Sequence, residues 1–433
     1  MSKIKITKLK IPGDKSISHR ALIIGSLAEG ETRIINFLDS GDCKSTLNIL
    51  RELGVNIETK KGGTGFIEEV KVQGVGLNGF KIPNNYLNAG NSGTTMRLLS
   101  GILAGQNFPS TITGDQSLSK RPMDRVIKPL REMGAEITGT EDKYPPINIK
   151  GKRLKFINYN MPIVSAQVKS CLLFAGLYAD GITSVSEPIK SRDHTERMLQ
   201  YMGAGIKVDG LKVTVEPGKI LTGKEIKVPG DISSAAFFIV AAIITGISVL
   251  IKDVGVNKTR TGIVDVLRKM GAVVEYKNNR EWNNEPVADI FVEGKKQLKG
   301  IQINGEMIPG MIDEIPVLAV AAATALGRTE ISGAGELRVK ESDRIKAICS
   351  ELTKLGVKII EKNDGFVIDG PARITGASVK SYGDHRIAMM LKIASLVAEG
   401  EVMIDDKECI SISFPDFMHS INSLWKEASY TES

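Results

Sequence analysis

Two stretches half a chain apart decide the architecture: residues 11–22, IPGDKSISHRAL, and residues 228–239, VPGDISSAAFFI. Both read apolar-Pro-Gly-Asp-x-Ser and then run into apolar sequence, and their offset of 217 residues is half of the 433-residue chain. A chain that doubles in this way predicts two domains, with Gly13 and Gly230 at two crossings between them. Two crossings make a hinge.

Each half divides again. Six apolar stretches, ALIIGSLAEG, LLSGILAG, CLLFAGLYADG, AAFFIVAAIITG, VLAVAAATALG and MMLKIASLVAEG, end at Gly30, Gly105, Gly181, Gly246, Gly327 and Gly400. Each is long enough for a helix whose closing glycine takes the left-handed C′ conformation. Helices apolar around most of their circumference are expected to be buried. A second set, RELGVNI, REMGAEI, QYMGAGI, RKMGAVV and TKLGVKI, repeats a helix end, a glycine and the start of a strand. The repeat is a two-helix α/β unit of about 72 residues, three to a domain. The expected domains are residues 14–227, and residues 1–13 with 228–433, the hinge lying near 13–14 and 228–230.

Composition narrows the class. Hydrophobic residues at 42% and charged residues at 25% fit a globular chain rather than a disordered or fibrous one. The longest unbroken apolar run, residues 235–244, has ten residues, short of the roughly 18 that a bilayer crossing needs. The opening MSKIKITKLKIPG alternates polar and apolar residues, so it reads as a strand rather than a leader, and the protein is expected in the cytoplasm. Cys43, Cys171, Cys349 and Cys409 are scattered with no C-x-x-C pair, which suits reduced, buried thiols. His19, His194, His385 and His419 are equally dispersed, so no metal site is expected. A net charge of +7 attracts anions. With aromatics at only 5% and none interleaved with the basic residues to stack bases, a small polyanion is favoured over nucleic acid. The chain carries no P-loop, no G-x-S-x-G elbow and no H-E-x-x-H, so the chemistries of those motifs are not indicated.

Small polar motifs precede the buried helices: GDKSISHR, GNSGTTMR, SAQVKS, GDISS, MIDEIP and GDHRI. A helix N-terminus presents unpaired N–H groups and partial positive charge, and a neighbouring glycine lets an anion reach the backbone. Ser, Asp and Asn at such places also serve as plain N-caps. Cations among the motifs make the set an anion-site candidate: Lys15, Arg20, Arg97, Lys120, Arg121, Arg192, Lys340, Arg344, His385 and Arg386. In LRVKESDRI, Lys340 and Arg344 share a face if the helix starts early. Alternating charges of this kind also suit a solvent-facing, salt-bridged helix.

Over almost its whole length the chain resembles the 5-enolpyruvylshikimate-3-phosphate synthase family of enolpyruvyl transferases, through GDKSISHR, GNSGTTMR, RPM, SAQ, LRVKESDR, GDHRIAM and FPDF. The resemblance implies an α/β (α+β) fold of two domains, each an inside-out α/β barrel of three βαβαββ-like units with buried helices, closing on 3-phosphoshikimate and phosphoenolpyruvate. It implies transfer of the carboxyvinyl group to the 5-hydroxyl of 3-phosphoshikimate by addition and elimination, without metal, nucleotide or other cofactor, in a monomer that binds neither nucleic acid nor membrane. By motif match, Lys15, Ser16, Arg20, Ser165, Ala166, Gln167, Arg192, Asp313 and Lys340 would hold 3-phosphoshikimate. Lys15, Gly93, Arg121, Gln167, Arg344 and Arg386 would hold phosphoenolpyruvate. Asp313 would take the hydroxyl proton, Glu341 would give a proton to the methylene and later remove it, and Lys15 would assist both. The substrates bring about six negative charges; Lys15, Arg20, Arg121, Arg192, Lys340, Arg344 and Arg386 supply seven positive ones.

Two departures stand out. Some relatives carry a lysine ahead of the FPDF-like motif, whereas here the run is CISISFPDF; either Lys407 swings in or the arginines suffice. Glu336 stands where some relatives have an amide, and an acid facing the phosphate would repel it, so it is left outside the expected site. The related transferase acting on UDP-N-acetylglucosamine is the first alternative, but it carries a loop cysteine and a Lys-Asn pair, where this chain has GDQSLSKRPM and Lys15-Ser16. A non-enzymatic polyanion-binding protein is the alternative that charge alone would allow.

Overall fold

The computed structural model describes residues 6–63, 65–294 and 297–429. By contact the chain forms two compact units: Gly13–Val228 together with Trp282–Glu285, and the segment through Pro12 together with Pro229–Glu281 and the residues from Pro286 onward. Each has its own hydrophobic core. They are called the 13–228 unit and the 229–433 unit below.

The crossings have a definite cause in strand pairing. Thr7–Lys10 leads into the first buried helix in sequence, yet it pairs in parallel with Val249–Gly255. Glu225–Lys227 leads toward the buried helix of the second half, yet it pairs in parallel with Glu29–Ile35. The two halves have exchanged their leading strands, so each unit takes its first strand from across a crossing.

The helices in chain order are α1 (Lys15–Leu27), α2 (Gly41–Glu52), α3 (Gly93–Ala104), α4 (Asp124–Glu132), α5 (Ala166–Gly176) and α6 (His194–Tyr201) in the 13–228 unit. In the 229–433 unit they are α7 (Ile232–Thr245), α8 (Gly262–Lys269), α9 (Ile315–Thr324), α10 (Arg344–Lys354), α11 (His385–Ala394) and α12 (Phe417–Ser429). All the odd-numbered helices are buried almost throughout, as their all-round apolar sequences require. Helix α3 packs against α1 and α5, while α7, α9 and α11 pack against one another. The contact of α3 with α5 is close because a Cβ at Gly101 would lie 2.1 Å from the Cys171 carbonyl oxygen.

Sheets repeat one rule: a leading strand pairs in parallel with the strand after a buried helix, and two antiparallel strands follow. Leu87–Asn88, Pro109–Thr113, Tyr144–Lys150 and Glu136–Thr140 form one such sheet. Among the described residues the 13–228 unit has three four-stranded sheets; the other has two, plus the pair Ser378–Val379 with Met403–Ile404. That last sheet is abridged because the chain turns into a 3₁₀ segment, Glu408–Ile412, and α12 instead of forming a further hairpin.

The glycine caps fall differently from the sequence pattern. Only Gly246 closes its buried helix in the left-handed conformation, with φ of 80°. Gly105 is right-handed, and its place is explained by Tyr178, whose ring a Cβ there would meet at 2.4 Å. Gly30, Gly327 and Gly400 are left-handed too, with φ of 86°, 89° and 93°, but lie beyond the caps of their helices, whereas Gly54, Gly134, Gly203, Gly271 and Gly356, with φ between 84° and 104°, directly follow theirs. Among the described residues no helix is long and apolar enough to cross a membrane.

Candidate functional site

In the 13–228 unit the expected residues collect at the starts of α1, α3 and α5. Asp14, Ser92 and Ser165 cap these helices, accepting from Ile17 N at 2.9 Å, Thr95 N at 3.1 Å and Val168 N at 3.3 Å. Ser165, one of the expected ligands, is thus the N-cap of α5. Lys15 opens α1, and its Nζ lies 3.0 Å from Asp42 Oδ2 of α2. One turn on, Arg20 is only 3% exposed. Its Nη1 donates to the Ser16 carbonyl at 2.9 Å, its Nε to Thr195 Oγ1 at 2.6 Å and its Nη2 to Ser170 Oγ at 2.9 Å. Three hydrogen bonds from three segments fix the plane of that guanidinium.

Gln167 is fixed in the same way. Arg97 Nη1 donates to its Oε1 at 2.6 Å, and its Nε2 donates to Thr94 Oγ1 at 2.8 Å. Because Arg97 can only donate, the amide orientation is set. Gly93 opens α3, and a Cβ there would lie 2.9 Å from Arg97 Nη1 and 3.5 Å from Arg121 Nη1. Arg121 is itself buried and bonds Asn91 Oδ1 at 2.7 Å through Nη2. Arg192 is half-buried, two residues ahead of α6. Behind Ser170 and Thr195 lies a charged triad that sequence reasoning missed. Lys169 is fully buried, paired with Glu187 and, at 2.7 Å, with Glu196, and Glu187 Oε2 also accepts from Ser191 N at 2.8 Å.

In the 229–433 unit the centre is Arg344, the first residue of α10 and 1% exposed. Its Nε and Nη2 grip the buried Asp384 at 2.8 and 3.2 Å, its Nη2 also reaches Glu341 at 2.7 Å, and its Nη1 reaches Asp313 at 3.3 Å. Burial opposes that charge, but Asp384, Glu341 and Asp313 outweigh it and hold the guanidinium protonated beyond even the ordinary arginine range. Asp384 is also the N-cap of α11, accepting from Arg386 N at 2.9 Å, and it takes the Ser342 hydroxyl at 3.0 Å. One carboxylate thus bonds the Arg344 guanidinium and the Arg386 backbone, two of the three expected phosphoenolpyruvate arginines. Arg386 is buried, donates to the Ser233 carbonyl at 3.3 Å, and lies 5.9 Å from the centroid of the Phe237 ring.

Lys340 and Arg344 do not share a helix face. Asp343 caps α10 through Lys346 N at 3.0 Å, so the helix begins at Arg344 and Lys340 lies ahead of it, after the 3₁₀ turn Gly335–Val339. Burial lowers the Lys340 ammonium below the ordinary lysine value, and the Asp313 charge works against that shift. Asp313 is not the cap of α9: it sits in its own 3₁₀ turn, Ile312–Glu314, with its carboxylate on Arg344. Glu336 is half-buried in the turn before Lys340 and acts on that ammonium through its charge. Lys407 is exposed, and Ile412 packs on the core.

The signal for the missed supports was weak. Arg97 and Asp384 lie inside quoted motifs, but motif spacing does not say which side chain each one grips. The same holds for Lys169 and Ser170 at the end of SAQVKS, while Thr195 reads as an ordinary helix residue.

A family model described as EPSP synthase (3-phosphoshikimate 1-carboxyvinyltransferase) matches residues 4–421. A 3-phosphoshikimate 1-carboxyvinyltransferase of Thermoanaerobacter sp. (strain X514) is 54% identical over 417 residues, covering 96% of this chain and 97% of the relative. The enzyme of the same name from Desulforudis audaxviator (strain MP104C) is 55% identical, covering 96% of each chain. Among solved structures, an EPSP synthase from Acinetobacter baumannii aligns with a TM-score of 0.85 at 46% identity, over 98% of this chain and 96% of that one. With alignment over nearly the whole chain and a matching fold beneath it, the chain belongs to the EPSP synthase family.

Proposed function

We propose that this protein transfers the carboxyvinyl group of phosphoenolpyruvate to the 5-hydroxyl of 3-phosphoshikimate, releasing phosphate, as a step in aromatic amino-acid biosynthesis. The observation that carries the mechanism is a buried Arg344 clamped by Asp384 with Asp313 and Glu341 on its remaining reach. Two carboxyl groups on one fixed cation are held in place for proton transfer.

In this reading Ser16, Arg20, Ser165, Ala166, Gln167, Arg192 and Lys340 bind 3-phosphoshikimate, and Gly93, Arg121, Gln167, Arg344 and Arg386 bind phosphoenolpyruvate. Asp313 accepts the proton of the 5-hydroxyl as it attacks C2 of phosphoenolpyruvate. Glu341 protonates the methylene carbon, then removes a proton from it as the C–O bond to phosphate breaks. Lys15, released from Asp42, stabilises the charge that develops at both steps. The arginines supply fixed positive charge that needs no reorganisation during reaction. Lys407 stays out of the site, which works with its arginines. The enzyme acts as a monomer in the cytoplasm, on small metabolites rather than nucleic acid or membrane.

The test is phosphate release from phosphoenolpyruvate with each acceptor. Release with 3-phosphoshikimate and none with UDP-N-acetylglucosamine is expected; the reverse pattern would overturn the assignment.

Two further results are expected. Gly93→Ala places a methyl between Arg97 and Arg121. It should raise KM for phosphoenolpyruvate about tenfold and leave KM for 3-phosphoshikimate unchanged; equal rises in both would count against this placing of Gly93. The second concerns Lys340, whose native pKa is depressed. Between that value and the ordinary lysine value the unfolded chain binds more protons, so this group makes stability rise with pH across the window. A bound phosphate reverses the depression, so binding of 3-phosphoshikimate within the window should take up a proton. Titration calorimetry in buffers of different ionisation enthalpy measures this uptake. Binding with no buffer dependence there would remove Lys340 from the phosphate contact.

A further inference from the structure

Arg20 has a support that begins in the other half of the chain. The strands Val274–Trp282 and Glu285–Val292 are neighbours in one sheet of the 229–433 unit, yet the residues at their joint, Trp282–Glu285, belong by contact to the 13–228 unit. Asn283 and Asn284 have φ of 45° and 64°. That is the left-handed backbone of a two-residue hairpin turn, which asparagine tolerates.

Every residue of the tip is engaged. Lys227 Nζ lies 3.6 Å from the centroid of the Trp282 ring. The Asn283 amide accepts from Lys227 N at 2.9 Å and donates to Lys227 O at 3.3 Å. Asn284 exchanges two bonds with Arg197 of α6, at 2.8 and 3.3 Å. Glu285, 3% exposed, places Oε1 at 2.7 Å from Nδ1 of His194, itself 2% exposed. One hydrogen bond joins the two buried groups.

His194 is the first residue of α6, and Thr195 follows it. The Thr195 hydroxyl is the acceptor for Arg20 Nε at 2.6 Å and lies 2.7 Å from Ser170 Oγ. A buried carboxylate–imidazole bond is directional, so it fixes the first turn of α6 where apolar packing alone would leave it free to adjust.

We propose that Glu285 is a positioning residue for the 3-phosphoshikimate site: acting through His194, it fixes the start of α6 and hence the Thr195 hydroxyl that orients Arg20. This rests on Arg20 holding 3-phosphoshikimate, as proposed above.

The test uses the full chain and steady-state kinetics. Glu285→Met keeps the length and removes the acceptor, and it is expected to raise KM for 3-phosphoshikimate about tenfold while kcat and KM for phosphoenolpyruvate stay within about twofold. Glu285→Gln keeps an oxygen for the His194 N–H and is expected to stay within about twofold of the parent in all three. Should Glu285→Met fail to fold, Glu285→Asp, which draws the carboxylate back by one methylene, carries the same expectation at smaller amplitude. An unchanged KM for 3-phosphoshikimate, or a rise in both KM values together, overturns the proposal. Arg20→Lys is measured alongside: if it leaves KM for 3-phosphoshikimate unmoved, the placing of Arg20 falls instead.

Discussion

Asp313→Ala is expected to lower kcat by about three orders of magnitude, within the range a positioned base contributes, while the affinity for 3-phosphoshikimate stays within about threefold. Arg344 keeps Asp384 and Glu341, Lys340 loses the support of one charge but keeps those of Glu341 and Glu336, and the turn Ile312–Glu314 is outside the regular helix. What is lost is a carboxylate held in place by Arg344 Nη1. Asp313→Asn should be nearly as inactive, because an amide keeps the shape and cannot take the proton. Initial rates and equilibrium binding of 3-phosphoshikimate decide the matter, and near-normal turnover in either variant would take Asp313 out of the mechanism.

The largest effect on stability is expected from Lys169→Met. Glu187 and Glu196 would then face each other in the core of the 13–228 unit with no cation between them. Removing one partner of a buried ion pair costs about 3–5 kcal/mol. For a unit of this size that is a fall of roughly 10 °C in the transition temperature, read by scanning calorimetry. Glu196→Gln should cost less, since Lys169 keeps Glu187. A Lys169→Met loss below about 1 kcal/mol, the scale of an exposed pair, would mean that the triad is not the buried network described. Because Ser170 and Thr195 adjoin the triad in sequence and both bond Arg20, binding of 3-phosphoshikimate should weaken as well.

What the sequence reveals here depends on the range of the interaction. The buried helices were legible because α7 and α9 are apolar on every side, a property of a single segment. The doubling at Gly13 and Gly230 was legible because a short motif recurs. Strand partners were not: nothing in GKEIKV says that Glu225–Lys227 pairs with Arg33–Ile35 rather than with the strand after α7. Helix starts were misjudged where a single cap decides them, as Asp343 does in excluding Lys340 from α10. The left-handed conformation of Gly30, Gly246, Gly327 and Gly400 was legible, whereas their distance from the helix end was not, since of these four Gly246 alone stands at its cap. At the site the cations could be named from motifs, whereas the groups that orient them could not. Asp384 on Arg344 and Thr195 on Arg20 are pairings across 40 and 175 residues.

The exchanged leading strands bear on how the molecule is made. In chain order the whole of Gly13–Val228 is an insertion between Thr7–Lys10 and its partner Val249–Gly255. At roughly 5–20 residues per second of synthesis, the first strand waits tens of seconds on the ribosome for that partner while the inserted unit assembles beside it. Its lysines, Lys8 and Lys10, are the kind of edge charge that discourages a waiting strand from pairing with a neighbouring nascent chain.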